Sequence, residues 1–586
     1  MKKYAAAALT VALCVLGFYL RWLNAHADLS SPSVDENDVV QQGVAFMAGE
    51  WKYYLPEYGA LPMYGLAALY RLVAWLHGQT ALEYAARVFY DGAEQYLLAR
   101  LICVASYVPL AIVSYRYLAS RFGRSAGMLS ALLLSMPCLD RFTKSTVRID
   151  VAQGAFQLAA LLFLVKTLES KSWRNWLAAG VFAGLAMASK PMPGALIAPC
   201  FWAASWFAVT LERPAPAAGV VSHLRNLGLR LWRSLYRPQL WASGAMALAV
   251  GVLANPTALD LRAFIDGQLK ASEYYSGPKA PGVHRTAFQV LTLLDPPFTI
   301  AIALCLLVMP FVRDARARLI ALFPLVYMTA FWGRPVRFYY MVAPAMALCW
   351  VVAIVVGLLL CRLGLDAPAP GSALRDSSPQ SQPVTPPSAR AQAAGVTVAL
   401  LVVLVLVWMP VRELSEAARS TSPQTLARDW IQQNIPSGTR LFQYGTYAGG
   451  PRLVSASWKV ERKVADFFEY GRQNYVFYDL AARKAYDDYR SQGRPYYDIE
   501  MFSANPEIAS GSRSWLAKSL ASHARERGQE YILLANYRAN DYRTLGYSWI
   551  DSVELAQEFG NVAIFRVPRA QAPSSPVSQG SAASGG

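Results

Sequence analysis

Eleven apolar runs, each close to or above the length that crosses about 30 Å of hydrocarbon, set the limits on this fold. They lie near 4–22, 97–115, 125–139, 151–166, 175–190, 192–211, 239–255, 288–311, 318–332, 338–361 and 394–410. Hydrocarbon offers no water to an irregular backbone, so such runs must be helices that satisfy their own hydrogen bonds. Only 16% of the residues are charged, where soluble domains carry about a quarter, and the mean hydropathy is +0.25. A disordered chain, a secreted disulfide scaffold and a small binding module are excluded. The seven cysteines (Cys14, Cys103, Cys138, Cys200, Cys305, Cys349 and Cys361) lie in or beside apolar runs with no CxxC pair, which argues against structural zinc and a disulfide framework.

The formal charge of +17 invites a nucleic-acid reading until it is located. With Lys2 and Lys3 inside and eleven spans, the cytoplasmic loops hold Arg116, Arg121 and Arg124, then Lys166, Lys171 and Arg174. Later ones hold Arg213, Arg225, Arg230, Arg233 and Arg237, then Arg313, Arg316 and Arg318. The excess is topological, and no nucleic-acid partner is implied. A twelfth run, 58–76, contains Pro62 and Arg71; as a span it would move these clusters outside, so it reads as an interfacial helix. The first external loop then covers 24–96. Ala25-His26-Ala27 imitates a signal-peptide cleavage site, but the run from Tyr4 to Leu20 is long and Arg21-Trp22 intervenes, which favours a retained span.

The expected organisation is a transmembrane domain over 1–411, with a disordered cytoplasmic loop at 363–393. A polar α/β domain at 412–568 is external by parity, and 569–586 is a disordered tail. In the polar domain Ser422 caps a helix with Pro423 at its first position, running to Asn434, and 439–444, 531–537 and 562–567 read as strands.

Two external acidic sites stand out: Asp35-Glu36-Asn37-Asp38 after the first span, and Asp150 at the outer end of the fourth. Each has a bland reading. Asp35 and Glu36 would cap a helix over 39–47, and Asp150 would cap its own span. On these residues alone the capping and functional readings are evenly balanced. The tyrosines 475, 478, 486, 489, 496 and 497, with Arg472, Arg483, Arg490 and Arg494 among them, read as a packed amphipathic helix ahead of a sugar-binding platform.

The arrangement resembles the GT-C membrane glycosyltransferases, in the protein-mannosyltransferase-like branch that includes the lipid A aminoarabinose transferases. The matching pieces begin with Val34-Asp35-Glu36 leading into 44–51, Leu61-Pro62-Met63-Tyr64 and Ala99-Arg100-Leu101. They continue with Arg148-Ile149-Asp150, the stretch 184–191 ending in Ser189-Lys190-Pro191, Asn255-Pro256, the stretch 334–340, and 430–436 at the start of the polar domain.

The resemblance implies a GT-C fold and an inverting transfer of sugar from a polyprenyl-phosphate carrier to a lipid, glycan or protein acceptor outside the membrane. It implies Asp35 as the base, Glu36 as an orienter of acceptor or sugar, and Asp150 as the second carboxylate, with these roles interchangeable. The departing phosphate needs positive charge, for which Arg337 is the first candidate, with Arg334, Arg262, Lys270, Lys279, His284 and Arg285 as others. Each loop residue also reads as a headgroup anchor. Of the cations flanking Asp150 (Arg141, Lys144 and Arg148), at least one is expected to pair with it. The aminoarabinose transferases carry a Lys-Pro-Pro-Leu stretch whose lysine meets the lipid phosphate; here Ala60-Leu61-Pro62-Met63 lacks it. A divalent cation on Asp35, Glu36 and Asp150 is not favoured, because a monophosphate donor does not demand one. The rivals are a glycan polymerase or ligase using pyrophosphate carriers and a flippase of lipid-linked sugars, the latter lacking any internal repeat. A bacterial inner membrane is the expected location.

Overall fold

The apolar runs form helices, several of which approach closely at glycines. The computed structural model describes residues 2–26, 34–49, 59–88, 92–136, 147–170, 172–212, 220–255, 259–276, 296–331, 338–367, 388–419, 421–444, 451, 453–454, 459–460, 475–502, 520–522, 524–535 and 552–568. In order, the helices are α1 (Lys2–His26), α2 (Val34–Met47), α3 (Leu61–Leu76), α4 (Ala81–Arg87), α5 (Ala93–Phe122), α6 (Arg124–Ser135) and α7 (Ile149–Thr167). There follow α8 (Trp173–Ser189), α9 (Pro191–Ala195), α10 (Ala198–Glu212), α11 (Val220–Leu235), α12 (Pro238–Leu253) and α13 (Leu261–Ser276). The last are α14 (Pro296–Val308), α15 (Ala315–Ala330), α16 (Val342–Arg362), α17 (Ala389–Arg419), α18 (Pro423–Asn434) and α19 (Tyr475–Ser491).

The chain is a polytopic α-helical membrane protein. Six stretches among the described residues are long and apolar enough to cross a bilayer: Ala8–His26, Ala93–Phe122, Ile149–Thr167, Pro191–Glu212, Val342–Arg362 and Ala389–Glu413. The remaining expected runs are shorter helices. The run expected at 125–139 forms only the twelve residues of α6, and 58–76 forms α3. Chain contacts divide the molecule into two units, the first built from Met1–Leu29, Asp35–Ala81 and Gly92–Ser420, the second from Ser30–Val34, Leu82–Asp91 and Thr421–Gly586.

In the first unit α16 is the axis, with nearly every side chain from Val342 to Ile354 buried among α6, α7 and α15. Apolar side chains point outward instead on α1 (Val11, Val15) and α17 (Leu404, Trp408), as hydrocarbon-facing surfaces should. Gly180 and Gly184 on α8 meet Ser243 and Ala247 on α12, a small-xxx-small seam on both helices. A Cβ at Gly184 would lie 2.6 Å from the Ala247 carbonyl oxygen. At the end of α6, Arg21 is buried and donates to the carbonyls of Leu134 (3.2 Å), Ser135 (2.9 Å) and Met136 (2.7 Å), three acceptors that the helix cannot satisfy itself.

The second unit holds a six-stranded sheet ordered β2-β3-β1-β4-β6-β5, from β1 (Arg440–Tyr444), β2 (Lys459–Val460), β3 (Asp498–Phe502), β4 (Tyr531–Ala535), β5 (Glu554–Phe559) and β6 (Val562–Arg566). The first four are parallel, and the β5–β6 hairpin joins β4 antiparallel. The expected strands at 439–444, 531–537 and 562–567 are β1, β4 and β6, and the Ser422 cap is present, its Oγ accepting from Thr425 N at 3.1 Å. Tyr497 is fully buried and donates to the carbonyls of Ile431 (3.2 Å) and Ile435 (3.4 Å), so the tyrosine cluster is in part core.

Replacing Gly180 and Gly184 together with leucine should cut the yield of folded, detergent-extracted chain and lower its thermal midpoint, since overpacking costs about 1–3 kcal/mol per site where neighbours cannot yield. Burial, with the nearby Tyr489, pushes the Tyr497 phenol up to about 12, above an unfolded value of about 10. The neutral phenol therefore contributes stability that is present below about pH 10 and lost as pH rises to about 12. Thermal midpoints across that window should fall less steeply for Tyr497→Phe than for the unaltered chain.

Candidate active site

Asp35 and Glu36 sit in the first turn of α2, which starts at Val34 and not at 39, so they are inside the helix instead of capping it. Acidic groups suit a first turn, where the backbone N–H groups point outward. Glu36 is completely buried. Arg100 Nε donates to its Oε1 at 2.6 Å and Nη2 to its Oε2 at 2.9 Å, a fork-on-carboxylate geometry. The Val147 amide donates to the same Oε1 at 3.1 Å, and Arg100 Nη1 donates to the Ala25 carbonyl at 3.2 Å. One carboxylate thus holds together the end of α1, the start of α2, the first turns of α5 and the chain entering α7. Both Glu36 oxygens are engaged by the protein.

Asp150 is in the first turn of α7, whose N-cap position is Arg148 with no side-chain cap, so the capping reading of Asp150 also fails. Its carboxylate is 2% exposed and Oδ1 accepts from Lys190 Nζ at 2.8 Å. Lys190, a cation not among those expected, is placed there; Arg141 and Lys144 lie outside the described residues. Arg148 is itself buried, with Cys103 Sγ donating to its carbonyl at 3.8 Å. Lys190 owes its place to Pro191, which bars a continuous helix and leaves Lys190 extended between α8 and α9. The ammonium also lies 4.1 Å from the centre of the Tyr340 ring.

The short helix that follows the break, α9, ends in carbonyls for which the sequence supplies donors. Gln157, two turns below Asp150, donates to the carbonyls of Pro193 (2.8 Å) and Gly194 (3.1 Å). Gln153 lies between and donates to Gln157 Oε1 at 2.8 Å and to the Tyr327 hydroxyl at 3.3 Å. A polar column thus descends from Asp150 into the bundle.

The ends of the first unit are distinct. Arg100 is near the start of α5 and Arg121 near its end, about 30 Å apart at 1.5 Å per residue. At the Arg121 end, Glu169 accepts from Arg121 Nη2 (2.7 Å) and the Tyr117 hydroxyl (2.9 Å) and pairs with Arg316 (3.5 Å). Asp366 at the same end accepts from the Ser125 amide at 2.8 Å. The Glu36 and Asp150 pairs therefore share one end, and the loops holding Arg121, Glu169, Arg316 and Asp366 share the other.

Of the remaining sequence candidates, Arg334, Arg337, Lys279, His284 and Arg285 lie outside the described residues, as do the side chains of Asp35 and Lys270. Arg262 is exposed on α13. Among the described residues, no three His, Cys, Asp or Glu side chains converge as a metal site would need.

Residues 82–225, which contain Arg100, Arg148, Asp150 and Lys190, match the family model of dolichyl-phosphate-mannose-protein mannosyltransferase. The match covers about a quarter of the chain. No curated protein matches the chain in sequence. Several solved structures are similar to the chain at low identity. ArnT from Cupriavidus metallidurans bound to undecaprenyl phosphate is 14% identical, with 96% of this chain and 97% of that one covered and a TM-score of 0.49. The Archaeoglobus fulgidus oligosaccharyltransferase in its apo form is 15% identical, with 91% and 69% covered and a TM-score of 0.46. The arabinofuranosyltransferase AftD from Mycobacteria is 13% identical, with 96% and 42% covered and a TM-score of 0.42.

Arg100→Met should destabilise the chain by about 3–5 kcal/mol, because it strands the buried Glu36 carboxylate. Adding Glu36→Gln should recover part of that loss. Thermal melting of the four detergent-purified proteins, as a double-mutant cycle, measures the coupling; additive losses would show that the pair is not coupled.

Proposed function

We propose that the protein is an inverting glycosyltransferase that moves a sugar from a polyprenyl-phosphate carrier to an acceptor hydroxyl, at the bundle end that holds Glu36 and Asp150. The observation that carries this reading is the gathering of two buried carboxylate–cation pairs, with Asp35 beside one of them. Glu36 accepts from the Val147 amide, three residues before Asp150, so a single buried carboxylate ties the two acidic segments together. The matched family is defined by a mannose carried on dolichyl phosphate, which supports a lipid-phosphate donor.

The proposed reaction divides the labour. Asp35 accepts the proton of the attacking hydroxyl while the bond between anomeric carbon and carrier oxygen breaks, its electrons leaving on the phosphate. The phosphate needs cations and not a general acid, and Arg337, Arg334, Lys270, Lys279, His284 and Arg285 are the proposed set. Asp150, oriented by Lys190, binds the acceptor. Glu36 is a positioning residue, acting through Asp35 and the 147–150 segment. No metal is needed in this scheme, since the carrier leaves as a monophosphate.

We place this site on the outer face of a bacterial inner membrane, together with the α/β unit. The opposite end carries Arg121, Arg124, Lys166, Arg174, Arg316 and Arg318, and basic loops stay in the cytoplasm. The acceptor is a lipid, a glycan or a protein.

Purified chain given labelled polyprenyl-phosphate sugars and a membrane extract should consume donor. Asp35→Asn should lower turnover by about 10²–10⁴-fold while donor binding persists, as expected for loss of a general base. Asp150→Asn should raise the acceptor KM more than it lowers kcat. Donor that binds but is not consumed with any acceptor fraction would overturn the reading in favour of a flippase, and loss of turnover on adding chelator would overturn the metal-free scheme.

A further inference from the structure

The segment from Arg213 to Leu259 contains no acidic residue and carries Arg213, Arg225, Arg230, Arg233 and Arg237. On its helix, α11, at 100° per residue, Leu224, Gly228, Leu231 and Leu235 share one face, while Asn226, Arg230 and Arg233 share the opposite side together with Leu229; Trp232 and Arg225 lie next to each other at the border. The apolar face is open, with Leu224 60% and Trp232 59% exposed and Leu231 and Leu235 also exposed. Arg225 and Arg233 are exposed and have no acidic partner among the described residues.

The helix packs along one edge. Ser234 is buried, its hydroxyl accepting from Trp202 Nε1 at 3.2 Å and its carbonyl from the Ser205 hydroxyl at 2.7 Å, which fixes α11 to α10. Just beyond it, Arg237 pairs with Glu212 at 3.3 Å and lies 5.9 Å from the Trp176 ring at the start of α8. These contacts put α11 at the Glu169 end of the bundle, away from the acidic site. A sixteen-residue helix with three arginines does not cross a bilayer, and an open face of leucine and tryptophan is unfavourable in water. The arrangement that satisfies both faces lies flat at a membrane surface, apolar side in the acyl boundary and guanidinium groups among headgroups.

We infer that α11 is an interfacial helix at the Glu169 end of the bundle and that Arg225 and Arg233 bind anionic lipid headgroups there. Charge complementarity selects the occupant: a polar face whose charges are all positive fits a phosphate-rich surface, and its geometry is set by Ser234 instead of by the lipid.

The test uses the full chain in nanodiscs of phosphatidylcholine alone or of equal parts phosphatidylcholine and phosphatidylglycerol, with amide hydrogen exchange read over 220–236. Phosphatidylglycerol should slow exchange in the unaltered chain by about thirty-fold, the contribution expected of two surface arginines, and in Arg225→Gln/Arg233→Gln by only a few-fold. Trp232→Glu should raise exchange in both lipids while the chain stays monomeric by light scattering. Equal exchange of the unaltered chain in the two lipids would overturn the inference. So would a dimer of the unaltered chain that Trp232→Glu dissociates, since a second copy would then cover the face.

Discussion

The Glu36–Arg100 pair is the interaction on which the rest of the membrane unit depends. Taking both ions out of water is costly, and their attraction offsets that cost only when every lone pair and proton finds a partner. Here two guanidinium donors and an amide meet the carboxylate, and the third guanidinium nitrogen meets the Ala25 carbonyl. The gain is positional. Four segments far apart in the chain are brought to one point, and alternative packings that part them leave a charge stranded in an apolar surrounding. Asp35 inherits its location from this knot, because it is the preceding residue on the same helical turn.

The second determinant is the interruption of the helix at Lys190-Pro191. A continuous helix would carry Lys190 onto a lipid-facing or packed surface with no anion opposite. Breaking it aims the ammonium at Asp150 and against the Tyr340 ring, and it costs backbone hydrogen bonds that hydrocarbon cannot replace. Gln157 donates to two carbonyls at the end of the short helix that follows the break, those of Pro193 and Gly194. Close approach of helices makes such local repairs geometrically reachable, and glycine makes that approach: Gly194 lies so near Ala186 that a Cβ there would fall 2.5 Å from its carbonyl oxygen.

Much of this architecture is legible in the sequence because hydrocarbon enforces simple rules. Apolar runs must be helices, and basic loops must share a side; the ion pairs of Glu169 with Arg121 and Arg316 join loops that charge alone had grouped. The cap at Ser422 is local chemistry and was equally readable. The two buried pairs were not. Arg100 is 64 residues from Glu36 and Lys190 is 40 from Asp150, so no periodicity links the partners. The usable signal was different: a lysine ending an apolar run just before proline must find an anion at that depth, and Asp150 was the unclaimed acid at the same end. Nearness in sequence pointed instead to Arg148. In the polar unit β2 has two residues and β3 and β5 mix charged and apolar side chains, so pattern alone did not reveal them.

The two ends of the bundle solve the same problem in opposite ways. At the Glu169 end the charges form a mutually satisfied web: Arg316 pairs with Glu169 and Asp314, Tyr117 and Arg121 add donors, and Asp366 caps α6 through the Ser125 amide. Such a web stiffens the loops and leaves the acids no free lone pair aimed at a common point. At the other end two acids are held by one cation each, in buried surroundings, and the chain brings a third acid beside them. Lys190 meets Oδ1 of Asp150, and Oδ2 takes part in no hydrogen bond among the described residues.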